Sequence, residues 1–234
     1  FILGHTLGIF KWRLFVNAAG AGLARLDATL CYAAGLFANL CLPSIVGGDV
    51  LRIALAGRLT KRPEAALWGG IMDRLTDMLA LALLVTGGAL VARTQLEGWT
   101  GEVLGITLMV GVGLVALALP LTVRRPLARW PRRLRRPVGR GLVGLRQLRR
   151  RPGTAVLGLS LSLVIQGSFV LLNAWLGRNV GIHVGLAVWF LVWPLAKIAS
   201  LMPISLGGLA VREASLAALL APFPTTGKLC MRVT

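Results

Sequence analysis

Only eight carboxylates serve this chain of 234 residues, and they are unevenly placed. They are Asp27, Asp49, Glu64, Asp73, Asp77, Glu97, Glu102 and Glu213, and none lies between 103 and 212. Asp73 and Asp77 stand four apart with Arg74 between them, so on a helix the two acids share a face. Asp49 lies inside PSIVGGDVLR (43–52), and Glu213 directly follows PISLGGLAVR (203–212). Both stretches read Pro, three residues, Gly-Gly, three residues, Arg. Proline and paired glycines interrupt helix. A helix resuming after such a break turns free N–H groups and its positive dipole end toward the gap, which is an anion site. Arg52 and Arg212 fall about one turn further on, and their planar forks match a phosphate. The chemistry expected of these residues is anion binding in a polar pocket, not bond making.

The substrate-binding candidates are therefore Asn39, Ser44, Gly47, Gly48, Asp49 and Arg52 around the first phrase, and Ser205, Gly207, Gly208, Arg212 and Glu213 around the second. Asp73, Arg74 and Asp77 join them from the intervening segment. The expected ion pairs are Asp49 with Arg74 or Arg212, and Glu213 with Arg52. Competing structural readings exist for each. The glycines can serve close helix packing alone, and the acids can be ion pairs that only hold a bundle. Asp73 can sit at a wet interface, Asn39 can cap broken backbone instead of touching a ligand, and Lys197 can snorkel to the membrane surface.

Other chemistries find no residues. There is no hydrolase elbow, P-loop, zinc-protease motif or dinucleotide fingerprint. Cys31, Cys41 and Cys230 have no metal-binding spacing, and His5 and His183 are isolated. No catalytic residue, metal or cofactor is assigned.

The elements that must position these side chains follow from composition. Hydrophobic residues make up 56% and charged residues 15%, with a mean hydropathy of +0.77. Soluble domains are about a quarter charged. The expected fold is all-α, a polytopic membrane helix bundle; a β-barrel is disfavoured because the apolar runs do not alternate. Residues 1–221 read as one integral membrane domain and 222–234 as an irregular tail. Phe1 lies inside an apolar run without an initiator Met, so the chain reads as N-terminally clipped.

Net charge is +18, and twelve arginines with no acid occupy 124–151. This reads as a cytoplasmic loop at 124–152, obeying the positive-inside rule and attracting anionic lipid. Nucleic acid is not an expected partner.

Residues 1–10 read as the tail of a span ending at an interfacial Lys11-Trp12-Arg13. The apolar stretch 28–42 is about 22 Å long as helix, short of a hydrocarbon core of about 30 Å. It is followed by Pro43, Gly47-Gly48 and then Arg52, Arg58, Lys61 and Arg62. Basic flanks at both ends require the chain to enter the membrane and return, which predicts a re-entrant Pro-Gly-Gly hairpin. Spans are expected at 66–92, 103–123, 154–176 with polar Gln166 and Asn173, and 185–202 with Pro194 and Lys197. The second phrase and a half-span helix follow. Two breaks preceded by helices of opposite direction fit an inverted repeat with a shared pocket.

GLFANLCLPSIVGGDVLR (35–52), DRLTDMLALALL (73–84) and MPISLGGLAVREASL (202–216), in that order, resemble the lysylphosphatidylglycerol synthase transmembrane region family. The likeness runs from about residue 10 to 221, with Asp73 where the family often has glutamate. It implies handling of an amphiphilic lipid, aminoacylated or glycosylated, moved between leaflets as by a flippase. It does not imply aminoacyl transfer, which belongs to a separate soluble domain. The expectation is a non-enzymatic, multi-pass protein of the bacterial inner membrane, with anionic phospholipid or a lipid-linked headgroup as partner. Two alternatives stand beside it. One is an accessory protein docking an envelope-biosynthesis enzyme through the arginine loop. The other is a membrane transferase with Asp49 or Glu213 as base.

Overall fold

The computed structural model describes residues 2–41, 45–91, 152–200 and 209–221, and every regular element among them is helical. In chain order these are α1 (Ile2–Ala18), α2 (Arg25–Cys41), α3 (Ile45–Thr60), α4 (Pro63–Val91), α5 (Pro152–Asn179), α6 (Leu186–Ala199) and α7 (Leu209–Leu220). The span expected at 103–123, the arginine-rich stretch 124–151 and the tail 222–234 lie outside the described residues, as do Ser44, Ser205, Gly207 and Gly208.

Local chemistry sets the helix limits. Proline opens α4 and α5, where its fixed φ and missing N–H do no harm. Asp27 and Glu64 lie in the first turns of α2 and α4, near the positive dipole end. Between α1 and α2 the chain turns through Gly20 and Gly22, both at positive φ. The Asn17 side chain closes that turn by accepting from the Leu23 N–H at 2.6 Å and donating to the Leu23 carbonyl at 3.1 Å.

Among the described residues two helices, α4 and α5, are long and apolar enough to cross a membrane. α4 is the hub, packed against α1, α3, α5 and α6. One apolar cluster, around Trp12, Val16, Leu23, Cys31 and Ala56, ties α1, α2 and α3 together with the start of α4. A second, around Val170, Val188, Trp189, Trp193 and Leu220, joins α5, α6 and α7. Large apolar side chains also cover the exterior, among them Leu3, Phe10, Leu30, Phe37, Leu83, Leu90, Val164 and Trp175. A surface this apolar suits acyl chains better than water.

Two expectations about continuity are overturned. Lys11-Trp12-Arg13 does not end a span at an interface. α1 runs on to Ala18, and Lys11 and Trp12 are only 2% and 0% exposed. Carboxylates on α4 receive the lysine, so it has no need of the membrane surface. Nor does helix resume after Gly47-Gly48. α3 already starts at Ile45, and the glycines lie within its first turns. The use of Gly48 is close approach: a Cβ on Gly35 of α2 would lie 2.8 Å from the Gly48 carbonyl oxygen and 3.2 Å from the Arg52 Cβ. A Cβ on Gly48 would collide with the Gly35 carbonyl and the Asn39 side chain. The small residues thus let α2 and α3 pack backbone to backbone.

Candidate functional site

Where the helices of the two apolar clusters meet, the bundle is charged inside. α4 presents Asp73, Arg74 and Asp77, and the i, i+4 spacing turns both acids toward α1. Lys11 Nζ lies 3.0 Å from Asp73 Oδ1 and 2.5 Å from Asp77 Oδ1. The first contact is electrostatic without hydrogen-bond alignment, while the second is a hydrogen bond. Ser162 of α5 closes this end, its hydroxyl 3.0 Å from both Lys11 Nζ and Asp77 Oδ1.

On the other side Arg52 of α3 reaches Asp73 Oδ2 at 2.8 Å and Asp49 Oδ1 at 3.1 Å through Nη2. Its guanidinium carbon also lies 5.2 Å from the Trp12 ring centre and 5.4 Å from that of Tyr32, within cation–π range. Arg74 completes the set by pairing with Asp49 Oδ2. Three cations and three carboxylates therefore alternate along one chain: Arg74, Asp49, Arg52, Asp73, Lys11, Asp77. Arg52, Asp73 and Lys11 are buried, whereas the Arg74 side chain is 36% exposed and marks the open side. Isolated buried charges cost several kcal/mol each. Alternation removes most of that cost, because each inner member touches two of opposite sign.

Beside this chain is a cavity of about 180 Å³. Its lining includes the charged Lys11, Arg52, Asp73, Arg74 and Asp77 together with His5, Tyr32, Gln166, Phe169 and Lys197. His5 stands edge-on to Tyr32 and Phe169, each ring centre 6.2 Å away. Lys197 of α6 donates to Gln166 Oε1 at 2.6 Å, and its ammonium lies 5.4 Å from the Phe169 ring centre. The expectation that Lys197 could snorkel to the surface fails, since a neutral amide and a ring face draw it inward. Asn173, the other polar residue of that span, satisfies itself by donating to the Phe169 carbonyl at 2.8 Å.

The sequence-based candidates divide accordingly. Asp73 is 3% exposed, so the wet-interface reading of it is wrong. Arg52 is paired with Asp49 and Asp73, not with Glu213, and Asp49 is paired with Arg52 and Arg74, not with Arg212. Asn39 accepts from the Gly48 N–H at 3.0 Å, capping one of the amides expected to face an anion. Gly48 belongs to the α2–α3 contact, and Gly47 lies beside it in the first turn of α3. Arg212 and Glu213 are on α7, where Arg212 stacks 5.3 Å from the Trp193 ring centre and Glu213 is exposed. Among the described residues α3 and α7 share no packed interface; α4 and α6 stand between them. Ser44, Ser205, Gly207 and Gly208 are not among the described residues.

Lys11, Ser162, Tyr32 and the Gln166–Lys197 pair were missed as site residues. One signal was available. Arginine supplies 22 of the 26 basic residues, yet Lys11 and Lys197, two of only four lysines, lie in apolar segments. A lysine there needs an internal partner.

The match to known families agrees with this architecture. The model of the lysylphosphatidylglycerol synthase TM region matches residues 1–231, nearly the whole chain. The chain belongs to that family. It is accordingly a membrane protein. The match extends past both ends of the stretch in which the three motifs occur. No curated protein and no solved structure matches the chain.

Proposed function

We propose that this member of the lysylphosphatidylglycerol synthase TM region family translocates an amphiphilic lipid between the leaflets of the bacterial inner membrane, as a multi-pass protein. The observation that carries this reading is the charge-walled cavity of about 180 Å³ inside a bundle whose outside is apolar. A headgroup crossing a bilayer needs polar surroundings, while its acyl chains need none. The cavity suits a headgroup phosphate, and the apolar exterior suits the tails. The α2–α3 pair supports a re-entrant hairpin, since helices of 17 and 16 residues span only about 25 Å, short of the roughly 30 Å core. A counterpart at 203–213 would complete an inverted pair.

The proposed activity is transport, not group transfer. Asp49 is held by two guanidiniums and is poorly placed to accept a proton, and Glu213 is exposed on α7. An accessory role through the arginine loop draws on no residue of this cavity.

The test is lipid scrambling in proteoliposomes carrying a fluorescent phospholipid, with and without an imposed membrane potential. Wild-type protein should expose inner-leaflet label faster than protein-free vesicles. Ile165→Trp, which fills the cavity from α5 without touching a charge, should slow it at equal incorporation and equal thermal stability. Label exposure indistinguishable from that of protein-free vesicles under both conditions would refute translocation.

A further inference from the structure

The cluster leaves one cation over. Lys11, Arg52 and Arg74 are matched one for one by Asp49, Asp73 and Asp77. Lys197 faces the same cavity, and among the described residues it has no carboxylate in ion-pair range; its partners are a neutral amide and an aromatic ring. The charges acting on it are Asp77, already bound to Lys11, and the cations Arg74, Lys11 and Arg212. Those three cations repel it. An amide oxygen and a ring face orient an ammonium without neutralising it.

We infer that Lys197 is the specificity-determining residue of the cavity, and that it selects a lipid whose headgroup bears a single uncompensated negative charge. This rests on the lipid-handling reading above. A phosphodiester with no cation of its own brings the cavity to neutrality. A zwitterionic headgroup brings a cation into a space that already holds one in excess. An aminoacylated headgroup is worse, because its amines outnumber its phosphate charge and, among the described residues, every carboxylate of the cluster is already paired. The selected class is therefore phosphatidylglycerol-like and not the aminoacylated lipid in the family's name. Arg52, to which phosphate binding would first be assigned, is held in the ion-pair chain and serves to fix the wall.

The experiment is lipid retention by the full chain in nanodiscs of equal parts phosphatidylglycerol, phosphatidylcholine and lysylphosphatidylglycerol, read by mass spectrometry after detergent extraction. The arginine-rich loop attracts anionic lipid in every variant, so the readout is the ratio of wild type to variant. Lys197→Met should lower phosphatidylglycerol enrichment about tenfold, and Lys197→Arg should keep it. Lys197→Gln, which leaves a polar head beside Gln166, covers the case in which methionine prevents folding. Unchanged enrichment in both neutral variants, or wild-type protein preferring the lysyl lipid, would overturn the inference. Selective retention without scrambling would refute translocation alone; scrambling without charge preference would refute this inference alone.

Discussion

Lys11 holds the ion-pair chain together, and its removal has a calculable consequence. Its ammonium bridges Asp73 and Asp77 at 3.0 and 2.5 Å, with the two carboxylates 4% and 15% exposed. Lys11→Met keeps the length and apolar stem but deletes the charge. Asp73 retains Arg52 as a partner; Asp77 retains only the Ser162 hydroxyl. Breaking a buried pair by removing one partner costs about 3–5 kcal/mol. At roughly 2–4 °C per kcal/mol for a chain of this size, the unfolding midpoint should fall on the order of 10 °C. The diagnostic variant is the double one. Lys11→Met/Asp77→Asn removes both members and leaves Arg74, Asp49, Arg52 and Asp73 balanced, so it should recover most of the loss. The assay is thermal unfolding of the purified protein in one detergent, followed by tryptophan fluorescence, for wild type, both singles and the double. If Lys11→Met matches wild type, or if the double variant is as unstable as the sum of the singles, the alternating chain is not what stabilises the bundle.

Other outcomes follow from the same contacts. Gly48→Ala should cost about 1–3 kcal/mol through overpacking, because its methyl meets the Gly35 carbonyl; trypsin cleavage at Arg58 and Lys61 should speed up as the α2–α3 pair loosens. Asn39→Ala, which uncaps the Gly48 N–H, should lower stability by about 1 kcal/mol in the same unfolding assay. Arg212→Ala, losing a stacked contact at 5.3 Å from the Trp193 ring centre, should cost only about 0.5–1 kcal/mol. Arg52→Ala removes the buried cation shared by Asp73 and Asp49, leaving each with one partner, Lys11 and Arg74, and should cost several times as much. Equal losses for the two arginines would mean that burial and pairing do not distinguish them.

Much of this was legible in the sequence because the membrane makes charge expensive and therefore conspicuous. Asp49, Asp73, Arg74 and Asp77 stood out as rare ionisable groups near apolar runs, and all four take part in the cluster. The spans expected at 66–92 and 154–176 from the length of apolar sequence fall within a few residues of α4 and α5, although the opening prolines were not used to place them. Pairing could not be read, because it depends on which helix lies next to which. Asp49 had two arginines as candidates, one 25 and one 163 positions away. Only the packing of α3 on α4 selects Arg74 and adds Arg52. Lys11 was misread for a related reason: a basic residue beside Trp and Arg near an apolar run has the composition of an interface, and α4 is invisible from that stretch.

The repeated Pro-Gly-Gly phrase shows why one pattern supports two physical uses. Glycine beside a helix start frees amides for a ligand, and glycine on a helix face lets another backbone approach. The sequence contains the same letters in both cases. Around Gly48 the second use prevails, since its N–H is taken by Asn39 and its missing Cβ makes room for Gly35. That close approach has a consequence for the site. Arg52 follows Gly48 by one turn on the same face of α3, and its Cβ lies 3.2 Å from where a Gly35 side chain would begin. Anything larger at Gly35 or Gly48 would push α3 outward and draw the Arg52 guanidinium away from Asp73, 2.8 Å from it. The glycines of the phrase thus act on the charged cavity at one remove, by setting the depth at which Arg52, which lines that cavity, enters the bundle.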